Sequence, residues 1–306
     1  MSTPMTTRRR TGILLALVTA CVSGVSVFVN SYGVAAFGNP TAFTTAKNLV
    51  AAAILVVAVA AGRSYGVRLT RPQGGRQWVA LTAVGVIGGS VPFVLFFEGL
   101  ARSTSPQAAF LHKTLVLWVA LLAVVVLGER LQWGHWVAIG LLVVGSVGLA
   151  GGTPSALGAP ELMILAATLL WAVEVVIAKR LLGSLSSWTV GVARMTLGSV
   201  VLLAWVAMRG NLSLLTSLTA EQVGWVLLTG ALLATYVSTW FAALQRAQAI
   251  DVTAVLVLAA PLTAALSAAV DGVPLQVGWI VVLVAGGTLA AWLGWRGRPE
   301  VVPVRA

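Results

Sequence analysis

At 306 residues, with 59% hydrophobic and only 9% charged side chains and a mean hydropathy of +0.98, the chain has too few polar groups to clothe a water-soluble core. A lone Cys21 excludes an internal disulfide, and no Cys/His grouping has metal-ligand spacing, so no cofactor, no metal and no catalytic centre are expected. The net charge of +11 does not argue for nucleic acid, because the basic residues lie in short connections between apolar runs.

Ten of those runs approach or exceed the ~20 residues that cross a hydrocarbon layer of ~30 Å. They cover roughly 12–36, 40–62, 77–101, 105–127 and 134–151, then 161–182, 187–208, 222–244, 249–270 and 277–295. Their length, without sustained polar–apolar alternation, predicts helices and not barrel strands. The fold class is therefore all-α integral membrane, with ten transmembrane helices.

Span one carries a polar stripe, Thr19, Ser23, Ser26 and Asn30, spaced so that all four share a helical face. Such hydroxyls suit close helix packing or the lining of a cavity, and Asn30 favours the cavity. Its start, Arg8–Arg10 followed by an apolar run and Val18-Thr19-Ala20-Cys21, resembles a bacterial lipoprotein signal. Cleavage there would discard half of a run that continues past Val29, so a span is the expectation.

The informative residues are charges inside the other runs. Each costs about 2.5–3.5 kcal/mol at a bilayer centre and therefore needs an interior partner or water. Lys47 lies seven residues into span two, and Arg194 seven residues into span seven; holding equivalent places, both read as structural braces. Span three offers Pro92 as a bend and Glu98 one turn from its outer end. In span four Lys113 lies about 12 Å deep at ~1.5 Å per residue, as a substrate-binding cation or as the static partner of Glu98. His112 beside it points about 100° away and reads as an interhelical hydrogen-bonding residue.

Glu174 falls near the middle of span six, one turn after Trp171, and suits either proton coupling or pairing with Lys113 or Lys47. Span eight supplies Thr235, Tyr236, Ser238, Thr239 and Trp240 as cavity-lining groups. Pro261 predicts a bend in span nine. Gly85/Gly89 and Gly148/Gly152 fit small-residue packing, and the Gly-rich fifth and tenth spans offer a homodimer contact. Trp78, Trp133, Trp136, Trp279, Trp292 and Trp295 read as interfacial anchors.

The two halves echo each other. A constant offset of 144 residues pairs Phe97 with Phe241, Leu100 with Leu244, Arg102 with Arg246, and Gly128 with Gly272. The same offset pairs Leu131-Gln132 with Leu275-Gln276 and Gly134 with Gly278. Five spans per half is an odd number, so the halves, 1–153 and 154–306, enter the membrane from opposite sides as inverted repeats. The joint is Gly151-Gly152-Thr153-Pro154-Ser155.

Ten spans in two halves, a basic residue early in spans two and seven, and Leu127-Gly128-Glu129-Arg130-Leu131 closing span four resemble the drug/metabolite transporter superfamily, in its EamA-type branch. Lys47 stands where Arg is usual, the second half closes on Asp271-Gly272-Val273-Pro274-Leu275, and Leu117 occupies the place that Pro261 holds in span nine. Phe110-Leu111-His112-Lys113-Thr114 is unlike most members. The resemblance implies export of small metabolites, often amino acids or drug-like solutes, without ATP.

Fourteen basic residues would lie on one side: Arg8, Arg9, Arg10, Arg63, Arg68, Arg71, Arg76, Arg130, Lys179, Arg180, Arg246, Arg296, Arg298 and Arg305. Only Arg102 and Arg209 would lie on the other. This asymmetry predicts cytoplasmic N- and C-termini in the cell membrane. A secondary transporter explains the repeat and the deep charges. A non-transporting scaffold or sensor leaves them without purpose, and two His and one Cys are a poor catalytic set. With Lys47, Glu98, Lys113, Glu174 and Arg194 all ionised the interior is +1, which favours an anionic or zwitterionic solute. A lipophilic cation held by Trp171, Trp240 and the carboxylates is the alternative. The expected partners are thus a small solute and membrane lipid.

Overall fold

The computed structural model describes residues 5–62, 67–103, 108, 111–151 and 157–296. Expectations resting on Arg63, Ser105, the 152–156 joint, Arg298 and Arg305 fall outside them. Among the described residues there are helices and no strands. Eight helices are long and apolar enough to cross a membrane. They are α1 (Thr7–Phe37, preceded by two further helical residues), α2 (Pro40–Gly62), α3 (Gly74–Leu100), α6 (Ala159–Leu181), α7 (Ser187–Met208), α8 (Ala220–Leu244), α9 (Ala249–Asp271) and α10 (Val277–Arg296). Two shorter apolar helices, α4 (Leu111–Leu127) and α5 (Trp133–Leu149), occupy the predicted fourth and fifth spans.

Local chemistry sets several helix starts. Asn39 Oδ1 accepts the Ala42 N–H at 2.9 Å ahead of α2, with Pro40 preset for the first turn. Ser186 caps α7 through the Thr189 N–H, and Thr219 with Gln222 forms a reciprocal capping box on α8.

Three helices are interrupted, two of them beside the predicted prolines. α3 breaks at Ser90 (φ −141°, ψ −73°), two residues before Pro92. α9 breaks at Val257 and Leu258, just before Pro261. In each case the proline ring removes an N–H and clashes with the preceding turn. α4 is interrupted at Thr114, the repeat-equivalent of Leu258, without a proline. There the Thr114 hydroxyl, bonded to Leu111 O and Trp118 Nε1, competes with the helical ladder.

α4 and α9 also end alike. Gly128 (φ 71°) and Gly272 (φ 70°) are left-handed caps, and the next N–H bonds six residues back, Glu129 to Ala123 O and Val273 to Ser267 O. A Cβ would strain both positions.

α1 packs along α8 and α9, and α6 along α3 and α4; α2 meets α7 and α8, α3 meets α7, and α5 pairs with α10. Glycines permit the closest crossings. Gly89 and Gly198 face each other where α3 crosses α7, with room for neither Cβ. Gly145, Gly148 and Gly286 are filled by Leu283, Trp279 and Leu141 across the α5–α10 contact. The glycines that suggested a dimer surface are therefore largely used within the chain, where they let α5 and α10 pack closely.

The described basic residues of the predicted cytoplasmic side gather at one end of the bundle. Arg8 reaches Gln245 O, Arg10 lies over Trp295, and Arg180 reaches Val126 O. At the opposite end Arg209 and Glu98 line one small cavity of about 50 Å³ with Asn39 and Asn211.

Candidate functional site

The break in α3 places a free acceptor in the bundle centre. The carbonyl four residues before Pro92 is that of Gly88, and it has no helical N–H to receive. Trp171 Nε1 donates to it at 3.1 Å, and Arg194 Nη2 at 2.9 Å. The same guanidinium grips Glu174, with Nε to Oε1 at 2.5 Å and Nη2 to Oε2 at 3.4 Å. Both residues are buried, at 3% exposure for Glu174 and 6% for Arg194. Gly88 must be glycine, since a Cβ there would sit 2.1 Å from the Glu174 carboxyl carbon.

Glu174 is thus neither a partner of Lys113 nor of Lys47. Its partner is Arg194, which equivalence with Lys47 had marked only as a brace. The signal was available in the sequence: Glu174 lies seven residues before the end of α6, and Arg194 seven after the start of α7. Across a short connection those residues share one depth.

An aromatic wall surrounds the pair. Phe93 meets Trp171 edge-on at 5.4 Å and lies under the Arg194 guanidinium at 5.8 Å. Phe96 contacts Trp171, Phe97 and His112, and His112 meets Trp171 at 5.1 Å. The 93–97 aromatics follow from helical spacing just beyond the α3 break, and sequence reasoning passed over them as core. Tyr236 lies close enough to feel both charges of the pair and stacks on Trp240, which is itself buried in the core. Of the other α8 hydroxyls, Thr235 and Ser238 bond back to their own helix, and Thr239 meets Thr19 at 2.9 Å between α1 and α8.

Lys47, 4% exposed, has no carboxylate among the described residues. Its ammonium lies over the rings of Phe43 (5.1 Å) and Phe97 (5.4 Å) and donates to Asn30 Oδ1 at 3.4 Å. Asn30 in turn donates to Ser26 Oγ at 3.4 Å. The α1 stripe and Lys47 therefore converge, whereas Lys47 and Arg194 serve different partners despite their matching positions.

Lys113 is half-buried beside His112 and makes no hydrogen bond or ion pair among the described residues. The static pair with Glu98 is not formed. Glu98 is bound by Arg102 at 2.6 Å, because four residues along one helix brings that guanidinium nearer than anything on α4. His112 Nδ1 is buried without a partner in place of the expected interhelical hydrogen bond.

A second polar cluster closes the basic end, which the sequence reading missed. Asp251, fully buried, receives Arg9 Nη2 at 2.8 Å and His135 Nε2 at 3.1 Å. Glu129, of the Gly-Glu-Arg-Leu close, caps α9 by accepting from Ala249 N at 2.7 Å and Ile250 N at 3.1 Å. Burial pushes the Glu129 carboxyl above the ordinary carboxylate range, and neighbouring Asp251 adds to that, against the two backbone donors and Lys179. Among the described residues no group of three or more His, Cys, Asp or Glu is arranged to hold a metal.

The EamA-like transporter family model matches twice, over residues 10–151 and 159–295. A curated relative from Sinorhizobium sp., described as an uncharacterised transporter in the cobO 3′ region, is 26% identical over 135 residues. That match spans 44% of this chain and 93% of the relative. A solved protein crystal structure superposes with a TM-score of 0.72 over 92% of this chain and 98% of its own, at 18% identity, which establishes a shared fold.

Proposed function

Because the chain belongs to the EamA-like transporter family, we propose that this membrane transporter moves a small organic anion or zwitterion, such as an amino acid, by alternating access and without a chemical step. One observation carries the choice of solute. The two interior carboxylates of the sequence reading are already neutralised, Glu174 by Arg194 and Glu98 by Arg102, while Lys47 and Lys113 have no carboxylate among the described residues. The interior surplus is thus two positive charges, and a solute carboxylate beside the Phe96–Trp171 wall would offset it. A lipophilic cation fits less well, since Lys47 already covers the Phe97 face. The driving force is a proton exchanged at Glu174 or counter-movement of a second solute.

We read the ten helices as ten spans in two inverted halves, 1–153 and 154–306. Two family matches that part between residues 151 and 159 support this, as does a relative about one half as long. The packing does too. Adding five to each helix number turns the α1–α8 contact into α6–α3, α2–α8 into α7–α3, and α1–α9 into α6–α4, while α2–α7 and α5–α10 map onto themselves. The clustering of basic groups at the α1 start supports cytoplasmic termini. Thiol labelling of Cys introduced at Ser217, in a Cys21→Ser background, should occur only from outside.

The test is uptake into proteoliposomes of labelled amino acids, organic anions and tetraphenylphosphonium. Lys113→Met and Lys47→Met should each cut anion or zwitterion uptake by roughly a hundredfold, as expected when a buried charge loses its partner. Tetraphenylphosphonium uptake that survives both changes, with no anion or zwitterion moved, would overturn the reading.

A further inference from the structure

The two ends of the bundle differ in how the halves meet. At the basic end Asp251 on α9 is shared between Arg9 on α1 and His135 on α5, so one buried carboxylate ties the second half to two helices of the first. The Gln132 N–H donates to His135 Nδ1 at 3.1 Å, which leaves the ring proton on Nε2, directed at Asp251. Glu129 holds the two N–H groups before Asp251, and Lys179 Nζ binds Leu244 O at 2.6 Å and Ala247 O at 2.5 Å. Leu185, Leu244, Ala247, Ala249 and Ile250 are all sealed around this knot. At the opposite end the halves meet through apolar packing and fewer polar links: Phe37, Ala42, Phe43 and Ala46 are buried against Val226, Tyr32 bonds Asp271, which is exposed, and Gln222 reaches Ala36 O. Between the two ends, Phe96 and His112, which meet across α3 and α4, and Asn30 and Phe97, which share Lys47, keep accessible surface.

The helix carrying Asp251 is also divided into two segments. Its first segment, Ala249–Leu256, is separated from Ala259–Asp271 by the break at Val257 and Leu258. The break rests on two glycines. Gly287 of α10 meets the Leu258 side chain and Gly24 of α1 meets Ala259 O, each with no space for a Cβ. The two glycines let α9 approach α1 and α10 closely on either side of its break.

We propose that Arg9, His135 and Asp251 form a latch that shuts the solute path at the basic end, and that Ala249–Leu256 is the gate it holds. The inference rests on the transporter reading. Transport then requires the Arg9–Asp251 ion pair to part and re-form once per cycle, with α9 turning at Val257 and Leu258. Arg9 is the peripheral member, with 13% side-chain exposure against 0% for Asp251, and is the one that leaves.

Hydrogen–deuterium exchange on the purified full chain tests this without a known solute. In Arg9→Gln, peptides covering 129–135 and 244–256 should exchange about tenfold faster, while peptides covering 26–37 and 266–272 slow, because alternating access closes one end as the other opens. Asp251→Asn should act in the same direction. Arg9→Lys, which keeps the charge, should restore the wild-type pattern. Faster exchange at the basic end with no slowing at the other would make the cluster a static brace and overturn the proposal. Unchanged exchange at both ends would overturn it equally. Reciprocal changes in a protein that moves no solute in liposomes would instead refute the transporter reading, and with it the latch's role on a solute path, leaving only the coupled motion of the two ends.

Discussion

Replacing Arg194 with Met tests the centre of the site most directly. The substitution keeps the apolar stem of the side chain but removes four hydrogen bonds, Nε and Nη2 to Glu174, Nη2 to Gly88 O and Nη1 to Met195 Sδ, together with the contact over the Phe93 ring. The Gly88 carbonyl keeps its Trp171 donor at 3.1 Å, so its loss is minor. The Glu174 carboxylate, 3% exposed, loses its whole counter-charge. Breaking a buried pair from one side costs about 3–5 kcal/mol. At 1.4 kcal/mol per decade that lowers the folding equilibrium roughly a hundredfold to several thousandfold. Glu174→Gln alone should cost less, because the amide oxygen still accepts from Arg194 and Gly88 O still receives Nη2. The combined Arg194→Met, Glu174→Gln protein should recover part of the loss, with an interaction energy of about 1–3 kcal/mol in the double-mutant cycle. Reversible unfolding in mixed detergent micelles measures all four proteins. Losses that simply add, to within about 0.5 kcal/mol, would show that Arg194 and Glu174 act independently and refute the pairing.

Gly88→Ala drives a methyl into the Glu174 carboxylate and should cost about 1–3 kcal/mol by overpacking. Gly140→Ala, with open space around it, should be neutral or stabilising by up to ~1 kcal/mol, and equal effects at the two sites would remove the steric argument. Glu129→Ala strips the Ala249 and Ile250 caps and should lower stability by about 1–2 kcal/mol. Burial raises the Glu129 carboxyl, so its contribution is fully present below the ordinary carboxylate value of 4.5 and is lost as pH rises through its higher folded value. The thermal stability of the wild type relative to Glu129→Gln should therefore fall as pH climbs above the ordinary carboxylate value of 4.5, and a difference independent of pH would contradict it.

Much of this protein was legible along the chain. Helix positions follow from apolar runs, and Pro92 and Pro261 lie just beyond the breaks in α3 and α9. Gly128 and Gly272 mark matching helix ends, because a left-handed cap is a property of one residue and its neighbours. The placement of charges in apolar runs announced a polar interior, since their insertion cost admits few other settings. Partners were not legible to the same degree. Lys113 and Glu98 looked matched in depth, yet Arg102 takes Glu98 from one helical turn away. Lys47 and Arg194 hold equivalent positions, but the α3 break gives only Arg194 a bare carbonyl, and only α6 carries a carboxylate at that depth. Arg9 and Asp251 stand 242 residues apart and meet because α1 packs against the start of α9. Residues that are neighbours along a helix fix where it starts, bends and stops. Which charge meets which is settled by the helices that face each other at one depth, and only the packed bundle decides that.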